Sequence, residues 1–383
     1  MVEYRSGGRR VFLINHPDAA GHVLAREQHR YANPPHPYAK LDSHVTPEGA
    51  FLLRLGSGPD AAADGQRRLR RVGEISAARA QEWLTAFGSE ERAVDVLPGL
   101  KEMMLRALVE ALFGIPDPEG TAAFAAAVAR SEEILAGSPG LPSFGEPGPP
   151  PAGLPGAVRE QEGFVERLIV RKGWPRTAGF RTAVLRTILN SYNGPATALA
   201  WTLLLLAEHP DVQERLRAEA DRASGELSGL VQTRAAILEA MRLYPPAWML
   251  GRSALVEDDV LGTHIPAGAP VFVSPYTMHR HPALWPEPKR FDPGRFSAAR
   301  AQGRHRYAYL PFGGGARRCT AGHAAVQQLQ AVLAAILRRV EVRPDPARPA
   351  RPRPLISLRP GPGAFLRIRL RGESGFGGSP KVW

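Results

Sequence analysis

A long apolar run near the middle of the chain contains a glycine–proline pair where a helix would otherwise continue. Residues 179–209 have helical spacing of apolar side chains, yet the stretch "NSYNGPATALAW" places Gly194 next to Pro195. In a helix interior glycine costs about 1 kcal/mol relative to alanine, and proline costs about 3 kcal/mol. Proline also lacks an amide hydrogen, and its ring meets the carbonyl four residues back, that of Ser191. We therefore predict that one helix ends near Tyr192 and that a second begins at Pro195.

The rest of the chain is predicted to be mostly helical, with a minor β component late in the sequence. A strand is predicted in "RRVFLINH", and short β-prone runs follow Pro246. Helical spacing predicts further helices at Gln66–Leu84, Leu97–Phe113, Thr121–Ala136, Val158–Lys172, 210–223, 230–246 and Cys319–Arg339. Residues 137–156 are too rich in proline and glycine for regular structure. They could link two domains, but we interpret them as a surface loop of a single domain covering residues 1–383.

Composition restricts the partners and the compartment. The formal charge of +12 would suit an anionic surface, but the arginines are scattered among alanine, glycine and proline. This spread favours a solvated basic surface or a docking face for an acidic protein over nucleic-acid binding. Cys319 is the only cysteine, so no intrachain disulfide can form. Because neither a signal peptide nor an apolar run long enough to span a membrane is visible, we expect a soluble, cytoplasmic monomer without membrane contact.

The densest chemical signal is "PFGGGARRCTAG", residues 311–322, which we call the cysteine loop. Its three consecutive glycines allow a tight turn and close approach to a bulky partner. Cys319 precedes a predicted helix, and Arg317 and Arg318 add positive charge, so we expect its thiol to ionise readily and to serve as a metal ligand. On composition alone Cys319 is equally a small buried residue. A nucleophile paired with His323 is a third interpretation, although the segment has no orienting Asn or Asp.

A second signal is the stretch "EAMR". Glu239 and Arg242 stand three residues apart on one helical face, where a bidentate ion pair can form. Such a pair is weak evidence alone, since ion pairs at this spacing are common on solvated helices. The stretch "FDPGRF" supplies another arginine, Arg295, later in the chain.

With these elements, the sequence resembles the cytochrome P-450 family of heme-thiolate monooxygenases. "EAMR" resembles the family's Glu-x-x-Arg helix, "FDPGRF" its Pro-x-Arg-Phe element and "PFGGGARRC" its cysteine loop. "TALAWTLLLLAEHPDVQERLRAE" resembles its long central helix and the helix that follows. The four elements occur in the family's order. The resemblance implies a mainly α fold with a minor β component, one large helical domain that encloses a b-type heme.

The resemblance also implies roles for individual residues. Cys319 would be the axial thiolate of the heme iron, with Phe312 packed on its sulfur side and the glycine turn around Gly315 directing amides toward it. A buried structural triad would comprise Glu239, Arg242 and Arg295. Heme propionates would be bound by Arg317, Arg252 and Arg70. Gln66 stands where the family often has a histidine.

Two positions depart from the family's pattern. The glycine usually found two residues after the cysteine is Ala321 here, and we expect its methyl group to tighten the packing of the following helix. In the central helix, Asn193 and Gly194 stand where an acid and a threonine normally lie, with Pro195 next. The family's acid–alcohol pair helps to deliver protons to bound dioxygen, which Asn and Gly cannot do in the same way. We treat these three residues as candidate catalytic residues.

Three functions are compatible with the sequence. The first is oxidation of a small, apolar or aromatic, natural-product-like molecule with dioxygen and electrons from a ferredoxin-type donor. The second keeps heme b but uses peroxide or performs a non-hydroxylating step, namely coupling, isomerisation, dehydration or nitrogen transfer. The third is a heme-binding sensor or carrier without turnover. Candidate pocket residues follow the Glu-x-x-Arg helix: Ala247, Trp248, Met249 and Leu250.

Overall fold

Helices make up most of the structure, a computed structural model. It describes residues 1–6, 8–33, 61–88, 90–137, 150–223 and 226–371, and only the backbone of 61–70. The helices in this part of the chain are α1 Pro17–Gly21, α2 Ala61–Thr85, α3 Val96–Phe113, α4 Pro118–Gly137, α5 Leu154–Lys172, α6 Ala178–Glu208, α7 Pro210–Arg222, α8 Val231–Leu243, α9 Pro275–Met278, α10 Ala298–Ala301 and α11 Gly322–Arg339. The predicted mainly α class with a minor β component is confirmed.

The strands form four small sheets in the described residues. The strands are β1 Val2–Ser6, β2 Arg9–Ile14, β3 Tyr31–Ala32, β4 Arg92–Asp95, β5 Leu250–Ala254, β6 Asp258–Val260, β7 Thr263–Ile265, β8 Pro270–Val273, β9 Val340–Pro344, β10 Arg351–Pro354, β11 Leu358–Gly361 and β12 Phe365–Leu370. The largest sheet has the order β1-β2-β8-β5-β3, and the next has the order β4-β12-β9. β10 and β11 form an antiparallel hairpin, as do β6 and β7.

Four helices form the centre of the main hydrophobic core. α11 packs along α2, α2 along α3, and α3 along α6. Their contact faces are apolar, as helical spacing predicts, and include Leu100, Leu199 and Leu333, all fully buried. A buried polar contact also joins α11 to α2, where Gln328 Nε2 donates to Ser76 Oγ at 2.8 Å.

The predicted break at Gly194 and Pro195 is wrong. α6 is one continuous helix over Ala178–Glu208, and Pro195 lies inside it. The proline removes only one backbone hydrogen bond, whereas residues 196–203 after it are all buried. Burying these side chains outweighs a local cost of about 3 kcal/mol. Tertiary packing therefore keeps the helix intact where local propensity favours an end.

Two further boundaries differ from the sequence prediction. The last helix begins at Gly322 rather than at Cys319, because residues 315–317 form a separate short turn and Cys319 lies between that turn and the helix. The predicted loop at residues 137–156 ends earlier than expected, since α5 begins at Leu154. Residues 138–149 of that loop lie outside the described residues.

Candidate functional site

The cysteine loop is held in a compact turn. The Cys319 amide donates to the Phe312 carbonyl at 2.9 Å, which closes the loop. Gly313 and Gly315 have φ angles of +74° and +71°, a region that side chains disfavour. A β-carbon on Gly315 would lie 1.6 Å from the Leu24 carbonyl oxygen. Glycine is therefore required at Gly315 both by backbone conformation and by the close approach of the 22–26 segment.

The Phe312 ring packs against Gly322, the first residue of α11. A β-carbon built on Gly322 would be 2.9 Å from the Phe312 ring, so the absence of a side chain lets the ring cover the start of the helix. Gly322 stands one residue beyond the position where the family usually has glycine. The ring contact shows why glycine at this position is needed for loop packing. Packing of Phe312 on the sulfur side of Cys319 stays a prediction.

The thiol of Cys319 does not ionise as readily as the sequence suggested. The residue is exposed, but the protein atoms around the sulfur desolvate it and raise the pKa of the thiol, while a hydrogen bond from the Ala321 amide acts in the opposite direction. The helix begins three residues later than predicted, which moves its amides away, and the Arg317 guanidinium is engaged by the Tyr31 carbonyl at 2.9 Å. Readily formed thiolate in the protein alone is therefore a wrong expectation. A bound metal cation would itself favour the thiolate.

The arginines predicted to bind propionates lie in different environments. Arg252 is buried on β5, and its Nη1 donates to the Gly251 carbonyl at 2.7 Å. Arg317 is exposed in the cysteine loop. The side chains of Gln66 and Arg70 lie outside the described residues. Contact of these residues with a heme stays a prediction.

The structure brings Glu239, Arg242 and Arg295 together in the interior. Arg242 Nε and Nη2 donate to the two carboxylate oxygens of Glu239 at 2.7 and 2.8 Å, a bidentate pair between fully buried side chains. Arg295 Nε approaches the same carboxylate at 3.3 Å. The remaining donors of Arg242 reach the carbonyls of His279, Pro288 and Arg290 at 2.8–3.0 Å. The triad thus fixes the segment that leads to the cysteine loop.

His279 links this triad to Leu310, the residue just before the cysteine loop. Its ring is fully buried, Nε2 accepts a bond from the Leu310 amide at 2.7 Å, and Nδ1 lies 3.2 Å from the Arg242 carbonyl. These partners require a neutral ring with the hydrogen on Nδ1. Burial lowers the pKa of His279 to about 3. Sequence reasoning missed this residue, because "TMHRHP" gives no periodic pattern that would mark a buried histidine.

We expect His279 to make stability depend on pH. The pKa of an unfolded histidine is near 6.5, so between pH 6.5 and about 3 the unfolded chain binds a proton that the folded chain excludes. The contribution of neutral His279 to the free energy of unfolding is complete above pH 6.5 and is lost as the pH falls toward 3. Urea unfolding from pH 7.5 to 5 should therefore show a shallower loss of stability in His279→Gln than in the parent protein. The exposed His264, as His264→Gln, is the control, and equal slopes in all three proteins would contradict this role.

The predicted pocket segment is joined to the C-terminal hairpin and to α6. Trp248 Nε1 donates to the Leu355 carbonyl at 2.7 Å, and the Leu358 amide donates to the Pro246 carbonyl at 3.0 Å. Trp201 Nε1, from α6, donates to the Leu358 carbonyl at 2.7 Å. The four predicted pocket residues, Ala247, Trp248, Met249 and Leu250, are all partly buried. Their contact with a substrate stays a prediction.

The middle of α6 is less enclosed than its second half. Residues 190, 191 and 193–195 are exposed or partly buried, whereas 196–203 are buried. A β-carbon built on Gly194 meets no described atom within 4 Å. Pro195 cannot donate a backbone bond to the Ser191 carbonyl. This part of α6 therefore combines space that no described atom fills with a carbonyl, that of Ser191, that lacks its helical partner.

Asn193 is connected to a buried carboxylate on another helix. Its Nδ2 donates to Glu132 Oε1 at 2.9 Å, and Glu132, on α4, is 4% exposed. The other carboxylate oxygen accepts from Lys101 Nζ at 2.7 Å and from Arg359 Nη1 at 3.1 Å. We call these four residues the polar cluster. Sequence reasoning missed Glu132, because α3, α4, α6 and β11 contribute one member each and no sequence spacing connects them.

The described residues fit the heme that the resemblance implies. No group of three or more histidine, cysteine or acidic side chains in the described part of the chain can hold a metal ion, so a metal bound at Cys319 needs its other ligands from a cofactor. A porphyrin supplies four nitrogens and needs only an axial thiolate. Cys319 is exposed, Gly194 faces space that no described atom fills, and Arg252 is a buried cation that suits an anionic group.

Comparison with known proteins supports the same family. The family model for cytochrome P450 matches residues 178–366. Cyclooctatin synthase of Streptomyces melanosporofaciens is 38% identical over 186 residues, 47% of this chain and 40% of that protein. Cyclooctat-9-en-7-ol 5-monooxygenase of the same organism is 37% identical over 158 residues, 39% of this chain and 34% of that protein. Cytochrome P450 4A2 of Rattus norvegicus is 36% identical over 200 residues, 49% of this chain and 39% of that protein.

These alignments cover only part of each relative. The chain spans 34–40% of the length of the two Streptomyces proteins and 39% of the rat protein. The match contains α6, the Glu239–Arg242 pair and the cysteine loop. Among the described helices, none has the length and apolar character to cross a bilayer.

Proposed function

We propose that this chain, which belongs to the cytochrome P450 family, is a heme-thiolate oxidoreductase that acts on a small organic molecule within one catalytic domain over residues 1–383. The observation that carries the proposal is the link from the buried Glu239–Arg242 pair through His279 to Leu310, the residue immediately before the loop that presents Cys319. An axial ligand must be held in a fixed position, and these buried bonds hold the segment that precedes the exposed thiol.

The cofactor in this proposal is heme b, held by Cys319, with Arg252 and Arg317 binding its propionates. When bound, the heme supplies oxygen activation, and a thiolate ligand favours O–O cleavage by pushing electron density toward the metal. Phe312 shields the sulfur side of the loop from water. Gly313 and Gly315 let the loop fold closely enough to present the thiol.

The proposed substrate is a small apolar molecule of the natural-product type. One relative is named for a reaction on cyclooctat-9-en-7-ol, and the partly buried Trp248, Met249 and Leu250 offer apolar surface at the predicted pocket. The proposed electron donor is an acidic, ferredoxin-type protein. The exposed Arg317 and Arg318 place positive charge beside Cys319, where such a donor would dock.

A second candidate function keeps the heme but uses peroxide or performs a non-hydroxylating step. It is favoured by one observation: α6 carries Asn193 and Gly194 where the family's acid and alcohol stand. Peroxide already contains the electrons and protons that the dioxygen route must import. Strict dependence of turnover on reduced ferredoxin would reject the peroxide version.

The proposed function is tested by the optical spectrum of the reduced protein under carbon monoxide. We expect the strongly red-shifted band of a thiolate-ligated heme, and we expect Cys319→Ala to lose it because no other residue can supply the thiolate. His323→Ala, which changes a neighbouring potential ligand, is the control and should keep the band. Absence of the band in the parent protein, or its survival in Cys319→Ala, would disprove the assignment.

A further inference from the structure

Glu132 gives Asn193 a fixed orientation, and this observation extends the proposed function on which it rests. An amide side chain can be placed with its oxygen and nitrogen exchanged, so its orientation must be assigned from its partners. The Glu132 carboxylate accepts bonds from Lys101 and Arg359, both cations, and an ionised carboxylate can only accept. The Asn193 group 2.9 Å from Glu132 must therefore be the donor, Nδ2.

The orientation of this amide leaves Asn193 Oδ1 as an enclosed acceptor. Among the described residues it has no hydrogen-bond partner, and the same holds for the hydroxyl oxygen of Thr197, one turn further along α6. The other two buried threonines of α6 behave differently. Thr187 donates to the Ala183 carbonyl at 2.8 Å and Thr202 to the Ala198 carbonyl at 2.7 Å, the usual bond to the residue four positions back. Thr197 alone of the three does not make it.

Two buried oxygens one helical turn apart are suited to share a water molecule. Side chains four residues apart have β-carbons about 5–6 Å from each other, a span that one water can bridge with two hydrogen bonds. Buried polar atoms without partners each cost about 1–3 kcal/mol, whereas a buried water with at least two polar partners removes that cost. The geometry therefore favours a bound water over two unsatisfied oxygens.

We propose that Glu132 is a positioning residue: it locks the Asn193 amide so that Oδ1, together with Thr197 Oγ1, holds one ordered water that relays protons to the open space beside Gly194. The carboxylate that α6 lacks is thus supplied by α4, and it acts through Asn193. The water accepts a proton from solvent as it releases one toward Gly194, so Glu132 and Asn193 neither gain nor lose a proton.

The water site is tested first by stability, without reference to turnover. Thr197→Val replaces the hydroxyl by a methyl group of nearly the same shape. If Thr197 holds a water, the variant loses a satisfied hydrogen bond, and we expect the ratio of folded to unfolded protein to fall about fivefold in urea unfolding, as in the control Thr202→Val. In an Asn193→Leu background, which removes the second water ligand, the loss should disappear.

If no water is bound between Asn193 and Thr197, the change in stability has the opposite sign. Removal of an unsatisfied buried hydroxyl would make Thr197→Val more stable than the parent protein, and this outcome would overturn the proposal. Because urea unfolding can be measured whether or not heme is bound, this test still applies to a protein that lacks the carbon monoxide band. Failure of the proposed function and failure of the water site are therefore distinguishable.

The role of Glu132 is tested by NADPH consumption in the purified holoprotein with a ferredoxin and its reductase. We expect Glu132→Gln to slow consumption at least fivefold and to raise the solvent deuterium isotope effect, because the amide of Asn193 can then rotate. Glu160→Gln is the control. Glu160, on α5, also accepts a bond from a residue of another helix, Arg130 of α4, but this pair lies at the surface. Adding Asn193→Asp to Glu132→Gln returns a carboxylate to the polar cluster and should restore the rate.

Equal rates and isotope effects in Glu132→Gln and Glu160→Gln would overturn the positioning role. Glu132→Gln leaves two partly buried cations with a weaker partner and can fail to fold. In that case Asn193→Val carries the same test, because it keeps the Glu132 carboxylate with Lys101 and Arg359 and removes only the amide. A normal isotope effect in a folded Asn193→Val variant would likewise overturn the proposal.

Discussion

Glu239→Gln is expected to lower the free energy of unfolding by about 3–5 kcal/mol. Glu239 is fully buried and accepts three side-chain bonds from Arg242 and Arg295, together with the backbone amide of Asp292 at 3.0 Å. A glutamine has the same shape but no charge, so two buried guanidinium groups would lose their counter-ion. Urea denaturation followed by circular dichroism measures the difference.

The control for this change is Glu287→Gln. Glu287 pairs with Arg290 three residues later, as Glu239 does with Arg242, but both side chains of that pair are about two-thirds exposed. An exposed pair contributes at most about 1 kcal/mol, so the same substitution should have a small effect there. If Glu239→Gln cost no more than Glu287→Gln, the triad would not be the structural base of the cysteine loop.

Gly315→Ala is expected to destabilise the cysteine loop and to remove the carbon monoxide band of the reduced protein. The new β-carbon would lie 1.6 Å from the Leu24 carbonyl oxygen, so the backbone of one of the two segments must move. Together with the left-handed backbone conformation, the change should cost about 3–5 kcal/mol. Displacement of the loop would also misplace Cys319, the candidate axial ligand.

Gly303→Ala separates the cost of the left-handed backbone conformation from the cost of the contact with Leu24. Gly303 has a φ angle of +76°, close to the +71° of Gly315, but a β-carbon at this position would meet no described atom within 4 Å. The control therefore reports only the conformational cost, about 1–2 kcal/mol. If both variants lost the same stability and both kept the band, the close contact with Leu24 would not position the cysteine loop.

The helices were predictable from sequence because their signal is local. Apolar spacing at 97–113 and at 158–172 predicts helices close to α3 and α5, and Gly114 ends α3 in a left-handed conformation. The cysteine loop was recognisable for the same reason, since its glycines and its cysteine are contiguous. The break predicted at Pro195 failed because local propensity competes with packing, and the propensity rule contains no packing term.

The polar features of the site could not be read in the same way. The polar cluster combines Lys101, Glu132, Asn193 and Arg359 from four separate elements, and His279 joins Arg242 of α8 to Leu310, just before the cysteine loop. A carboxylate on α4 gives the same helical pattern whether it faces water or Asn193. The pKa of Cys319 was also misjudged from sequence, because desolvation depends on atoms that are distant in the chain.

The sequence by itself determined the helical class, the resemblance to the cytochrome P450 family and the identity of Cys319 as the candidate ligand. Each of these depends on residues that are neighbours in the chain, so local stereochemistry and motif order are enough to reveal them. Only the tertiary structure decided that α6 continues through Pro195, that Glu132 orients Asn193 and that His279 is held neutral. Those outcomes depend on burial and on partners brought together by folding, which change the energy of a backbone or a side chain without changing its sequence context.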